Sequence, residues 1–172
     1  MSGATLSVVL HEPLIPNNTG NIGRTCVAVG AALHLVHPLG FDLDEKKRRR
    51  AGLDYWPRLD LSEHASWGAY LQASGRARRW YFATQGGRDL FEADFLPGDH
   101  LVFGKETGGL PESIRKPQAD RVLVLPMRPG ERSLNLATAV CAALYEAVRQ
   151  LLASGDLRLD EDHRLAPAKP IQ

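Results

Sequence analysis

Three polar, glycine-bearing loops hold the residues of this chain with the capacity for chemistry. They are Asn18-Thr-Gly-Asn-Ile-Gly-Arg24, Gly104-Lys-Glu-Thr-Gly-Gly-Leu-Pro111 and Arg128-Pro-Gly-Glu-Arg-Ser-Leu-Asn-Leu-Ala137. Each lies between an apolar run and a helical pattern, where a parallel α/β sheet binds ligands at the carboxyl ends of its strands. Gly104 and Gly109 let backbone approach a ligand closely or turn through positive φ, and a plain tight turn uses them equally well. Glu106 is either a solvated loop acid or a carboxylate held by hydrogen bonds beside a ligand. Ser133 and Asn135 precede the longest helix and suit N-capping, a role compatible with binding at the free amides of a helix start. Arg24 falls about one turn into a helix, near Ile22 and Cys26. A partly buried Arg there takes a structural acid, a phosphate or developing negative charge as its partner.

The chain has neither the G-x-x-x-x-G-K-[ST] spacing of a Walker loop nor the G-x-G-x-x-G of a dinucleotide fingerprint, which argues against a nucleotide-dependent oxidoreductase. Six histidines are scattered without metal-ligand spacing, so no metal is expected. The formal charge is only +1, so contact with nucleic acid has to come from local basic patches. Lys46-Lys-Arg-Arg-Arg50, flanked by Asp42, Asp44 and Glu45, is such a patch or a solvated face. Arg76, Arg78, Arg79, Arg128 and Arg132 are further candidates for phosphate contact. Tyr55 and Trp56 either stack a splayed base or pack in the core. No run approaches the ~20 apolar residues that cross a bilayer, and the first residues lack a secretory pattern. Cys26 and Cys141 fall in helical patterns and read as buried thiols in a reducing cytoplasm.

The elements that position these loops are legible as periodicity. At 172 residues the chain can form one domain with a real core. That domain is expected over 1–155, with a charged, proline-containing and loosely held tail over 156–172. Apolar, β-rich runs predict strands at 5–10, 33–37, 79–84, 100–103 and 121–125. Helices are predicted over 20–29 with Gly30 ending the first, over 62–73, over 112–116 after Pro111, and from Leu136 to a stop at Gly155. In the last of these, Leu136, Val140, Ala143, Leu144, Ala147, Val148 and Leu151 follow the i, i+3, i+4 rule. The charged segment 42–50 is expected to be partly helical. Strands alternating with helices predict an α/β fold with a parallel sheet.

Taken together and in this order, the three loops resemble the signature motifs of the SPOUT RNA methyltransferases, in the SpoU branch. Other stretches are similar to its small TrmL-type group, which methylates the 2′-hydroxyl of the wobble nucleotide of tRNA. These are Glu12-Pro13, Ile15-Pro-Asn-Asn-Thr-Gly-Asn-Ile22, His37-Pro-Leu-Gly-Phe41, Arg50-Ala-Gly-Leu-Asp-Tyr55 and Phe103-Gly-Lys-Glu-Thr107. The resemblance covers roughly residues 6–151. It implies a single-domain SPOUT fold with a C-terminal deep trefoil knot. It also implies S-adenosylmethionine held by Ala83, Thr84, Gly104, Gly109, Leu125, Met127, Ser133, Leu134 and Asn135, with no metal.

The same resemblance implies a homodimer with a composite active site, in which Arg24 of one subunit faces the cofactor of the other. The substrate it implies is the anticodon stem-loop of tRNA, methylated at nucleotide 34, a cytidine or a carboxymethylaminomethyluridine. Arg24, Asn18, Glu106 and Ser133 form the implied catalytic set. The Arg24 guanidinium would hold a phosphate and stabilise the forming alkoxide, because a protonated arginine is not a base. Another tRNA position, ribosomal RNA, or a non-catalytic RNA-binding relative are the alternatives. Two features depart from the pattern: Lys105 stands where related chains often have proline, and the composition beyond Gly155 is unusual.

Overall fold

The computed structural model of the chain describes residues 4–42 and 54–167. The apolar runs become strands because both of their faces are covered. The strands are β1 (Ser7–His11), β2 (Ala32–Val36), β3 (Leu61–His64), β4 (Arg79–Phe82), β5 (Arg88–Asp89), β6 (His100–Phe103) and β7 (Val122–Val124). They form a seven-stranded sheet in the order β3-β2-β1-β6-β4-β7-β5, and every pair in it is parallel. The helices are α1 (Pro16–Val29), α2 (Trp67–Ser74), α3 (Glu112–Arg115) and α4 (Leu136–Ser154). On one face Val8, Leu10, Leu101 and Phe103 pack with Ile22 and Cys26 of α1 and with Val140 and Leu144 of α4. On the other face Val9, Val36, Tyr81 and Val102 pack with Tyr70 of α2 and Ile114 of α3. Because β6 lies between β1 and β4, the loops after the central strands emerge side by side.

Four elements differ from the sequence expectation. Helix α1 starts at Pro16 rather than at residue 20, and Ile15 is its N-cap with no side-chain hydrogen bond, so Asn18 and Thr19 lie inside the first turn. Proline at the first helical position loses no hydrogen bond that the helix could have made. The predicted helix over 62–73 is split. Its start is the strand β3, whose backbone is satisfied by pairing with β2, and the helix begins only at Trp67, where Ser66 Oγ accepts from the Ala69 N–H. Helix α4 is, by length and composition, apolar enough to cross a bilayer, contrary to the sequence reading. Its buried face (Val140, Ala143, Leu144, Ala147, Val148, Leu151) instead covers the core, while Glu146, itself largely covered, pairs with the exposed Arg149. Gly155 caps it in the left-handed region at φ 84.

The fourth difference is the tail, expected to be loosely held. Leu157–Leu159 (β8) and Leu165–Pro167 (β9) form an antiparallel hairpin, and Leu157 is buried. Asp160 Oδ1 accepts from the N–H groups of Asp162 and Arg164, which closes the turn through side-chain–backbone bonds. The basic run 46–50 and the helix expected over 42–50 lie, from residue 43 onward, outside the described residues.

Candidate active site

The loops after β1, β4, β6 and β7 enclose a cleft of about 860 Å³ at the carboxyl edge of the sheet. All nine residues expected to hold the cofactor line it: Ala83, Thr84, Gly104, Gly109, Leu125, Met127, Ser133, Leu134 and Asn135. Asn18 and Glu106 line it as well. Gly104 shows why the second loop can turn so tightly. A Cβ there would stand 2.0 Å from the Gly109 carbonyl carbon, so the returning backbone occupies the space of a side chain. The close approach is therefore made by the loop to itself, and the Gly109 N–H donates to the Lys105 carbonyl at 2.9 Å to close it. Gly109 holds φ +65, where a side chain would be strained, and its α-carbon faces open space.

The central feature is a chain of hydrogen bonds that joins the three loops. Glu106 Oε2 accepts from the Leu14 N–H at 2.8 Å, and Oε1 accepts from the Ile15 N–H at 3.2 Å and from Asn18 Nδ2 at 3.0 Å. The carboxylate thus satisfies amides leading into α1, a helix whose own N-cap side chain offers nothing. Asn18, buried at 6 % exposure, accepts at Oδ1 from Asn135 Nδ2 at 3.0 Å. Asn135 Oδ1 in turn accepts from the Ala137 and Thr138 N–H groups and caps α4. Two helix starts separated by more than a hundred residues are therefore linked through Glu106, Asn18 and Asn135. Burial pushes the Glu106 carboxyl upward, but the hydrogen bonds from Asn18, Leu14, its own backbone and Ile15 outweigh it and hold the group below the usual carboxylate range. A fixed, ionised carboxylate results, balanced by neutral dipoles.

Ser133 lines the cleft and is exposed. Arg24 does not line it. The partly buried environment expected for Arg24 is corrected: the residue is exposed on α1, and its guanidinium stacks 4.7 Å from the centroid of the Tyr55 ring. Tyr55 belongs to the core, at 3 % exposure, with its hydroxyl donating to the Gly20 carbonyl, so it is not placed to stack a base. Arg78 and Arg79 are committed elsewhere too. Arg78 grips Asp99 through Nε and Nη2, both at 2.6 Å, and Arg79 binds Ser74 Oγ and the Gly75 carbonyl. Sequence reasoning did not single out Phe82 and Phe103, stacked at 4.3 Å on neighbouring strand ends, or the cation Arg115 as cleft residues, while Lys105, noted there as a departure from the family pattern, lines the cleft too. The strand-terminal aromatics carried a signal, since each immediately precedes one of the cleft loops.

Comparison with known proteins places this geometry among relatives. The model of the SpoU rRNA Methylase family matches residues 5–145. A protein of Saccharophagus degradans named tRNA (cytidine(34)-2'-O)-methyltransferase is 47 % identical over 150 residues, covering 87 % of this chain and 97 % of its own. A solved structure described as giving insights into the 2-OH methylation of C/U34 on tRNA is 50 % identical, with a TM-score of 0.79, covering 86 % of this chain and 97 % of its own. The SpoU methyltransferase AviRb of Streptomyces viridochromogenes, solved in complex with AdoMet, is 30 % identical with a TM-score of 0.73, covering 86 % of this chain and 60 % of its own.

Proposed function

The chain belongs to the SpoU rRNA Methylase family, and from that premise we propose that it transfers a methyl group from S-adenosylmethionine to the ribose 2′-hydroxyl of tRNA at wobble nucleotide 34. The observation that carries this reading is the convergence of three sequence-distant loops on one cleft, tied together by the Glu106–Asn18–Asn135 relay. Relatives of nearly the same length that are named for this reaction support the choice of tRNA and of position 34.

The cleft suits the cofactor. Its volume is that of a small-molecule site, its walls include Leu125, Met127 and Phe82, and the α-carbons of Gly86 and Gly109 face open space. Bound there, S-adenosylmethionine supplies an activated methyl group, which leaves positioning and charge stabilisation to the protein. Leu125, Met127 and Ala83 give it apolar contact, and Ser133 and Asn135 offer polar groups at the start of α4. Asn18, fixed on both sides, orients the ribose. Glu106 acts as a positioning residue, since its oxygens are taken up by Leu14, Ile15 and Asn18. Arg24 stabilises the 2′-oxygen as its proton passes to solvent water, and it holds the neighbouring phosphate.

Arg24 lies outside the cleft of its own chain, which supports a homodimer in which one subunit supplies this residue to its partner's cleft. A trefoil knot formed by the segment after β7 is part of the same proposal. It is supported by the placement of β7 beside β4 and by the return of α4 onto α1 and β6. A cytoplasmic location is part of the same reading, and the two free thiols are in keeping with it. One of them, Cys26, is pushed up to about 12 by burial and is thereby kept unreactive.

The test is nucleoside mapping. The protein is incubated with labelled S-adenosylmethionine and bulk tRNA from cells that lack wobble 2′-O-methylation. Label recovered as a 2′-O-methyl ribose at position 34 is the expected result. Label at another nucleotide, or on ribosomal RNA alone, would replace the proposed target.

A further inference from the structure

Lys105 has no role in the reaction as proposed, yet it is tied to the same loop as its neighbour Glu106. Glu106 accepts from Leu14 and Ile15, while Lys105 Nζ lies 3.1 Å from Glu12 Oε2, in the stretch that joins β1 to α1. The pair is not sealed: the two side chains are 37 % and 27 % exposed. Glu12 itself holds φ 53, a left-handed conformation that non-glycine residues seldom adopt. Its N–H donates to the Val36 carbonyl at 2.9 Å, and this bond together with the lysine fixes it there. Backbone held in so sparse a region, on the segment that leads to Ile15 and Asn18 in the cleft wall, points to a use for the side chain it presents. Of the other cleft cations, Arg115 has its Nε committed to the Leu110 carbonyl, and Arg132 belongs to the loop after β7. Lys105 is the one whose charge is turned toward the loop leading to Asn18.

We propose that Lys105 is a positioning residue for the RNA, exchanging Glu12 for a backbone phosphate beside the methylated ribose, on the other side from the one Arg24 holds; this rests on the reading above that RNA enters this cleft. Before RNA arrives, Glu12 offsets the ammonium and aims it. An ammonium is a compact charge with three donors and no preferred plane, so it can pass from a carboxylate to a phosphate with little rearrangement. Glu12 is not stranded by the exchange, because its side chain is 27 % exposed and water can solvate the carboxylate once the ammonium leaves. The expected consequence is selective: affinity for RNA and register on it depend on Lys105, whereas cofactor binding does not.

The experiment compares the full-length protein with Lys105→Met, Lys105→Gln, Lys105→Arg and Glu12→Gln, using the same bulk tRNA and labelled cofactor. Both neutral variants should raise the KM for tRNA roughly three- to tenfold while kcat stays within about twofold, as expected for loss of one phosphate contact. Their tRNA affinity should fall less steeply with salt, the log–log slope losing about 0.7. Calorimetric affinity for S-adenosylmethionine should match wild type. Lys105→Arg should restore the KM, and Glu12→Gln should leave it at or below wild type. Thermal melts accompany every variant, so that a loosened loop is recognised. A wild-type KM and salt slope in both neutral variants would overturn the proposal. So would a KM raised by Glu12→Gln as much as by Lys105→Met, because the pair would then be a structural staple. Wild-type protein that labels no tRNA at all would instead refute the underlying functional reading.

Discussion

The two ends of strand β6 each carry a fixed acid, and they are built for different purposes. Asp99, just before the strand, is 1 % exposed and takes bonds from Arg78 Nε and Nη2, Trp80 Nε1 and the Leu96 N–H. A full positive charge neutralises it, and the Arg78 guanidinium also lies over the Trp80 ring. Glu106, just after the strand, takes bonds from two backbone amides and one carboxamide. No cation is among those three donors, and the network continues through Asn18 and Asn135 along the wall of an open cleft. A buried charge paired with an opposite charge stabilises a fold or keeps it specific. A carboxylate held by dipoles keeps its net charge and its geometry at once, which is what a site that must place a substrate requires.

The sharpest way to break this comparison is to remove each acid in turn. Asp99→Ala leaves the Arg78 charge and the Trp80 N–H without their partner, and it should cost about 3 kcal/mol of stability. A melting curve measures this, and a drop of only a degree or two would mean that the amino-end cluster is not a clamp. At the other end the loss should appear in rate. Arg24→Ala should lower methyl transfer on the order of 10²–10³-fold with cofactor affinity nearly intact, and near-normal turnover would remove Arg24 from the mechanism. Glu106→Ala comes next. It should lower kcat/KM at least about tenfold, while stability falls by only about 1–2 kcal/mol, since neutral donors near solvent lose their acceptor and no ion pair is broken. The comparison fails if Glu106→Ala unfolds the protein as readily as Asp99→Ala does.

Acid should separate the two ends more gently. His100 follows Asp99 on the opposite face of the sheet, where it stacks on His34 at 5.2 Å and meets the Tyr70 hydroxyl at 2.8 Å, with His64 and Arg79 close by. Burial, reinforced by the neighbouring rings, pushes His34 and His100 down to about 4 from the ordinary value of 6.5. These groups are neutral in the fold and gain protons once unfolded. Their contribution is therefore complete above pH 6.5 and is lost as pH falls from there toward 4. Glu106 is depressed, so what it contributes is present above the ordinary carboxylate range and is lost only at still lower pH. The melting temperature should thus decline between pH 7 and pH 5, and replacing His34 and His100 together by Asn should flatten that decline. An unchanged slope in the double variant would place the acid sensitivity elsewhere.

Much of the molecule could be read from the sequence where the signal was local. The run Leu101–Phe103 is uninterruptedly apolar, and α4 carries both its helical period and its terminal glycine. Strand β3 was misread because Leu61–His64 mixes polar and apolar residues, and only its pairing with β2 makes it a strand. The two-residue strand β5 has no periodicity to detect. In the site, the residues expected to hold the cofactor were reached by resemblance, and the topology brings them to one cleft. The Glu106–Asn18 bond, across 88 residues, left no local mark. Arg78 looked like any surface cation because Asp99, 21 residues on, is what defines it. The tail hairpin depends on Asp160 bonding the backbone of its own turn, which neither charge nor composition announced.

A crystal of the protein grown with S-adenosylhomocysteine tests the central claim most directly. The product should lie against Ala83, Thr84, Gly104, Gly109, Leu125 and Met127, with Asn18 still bridging Glu106 and Asn135 beside its sulfur. A ligand seated away from those loops, or a broken bridge with the ligand in place, would contradict it.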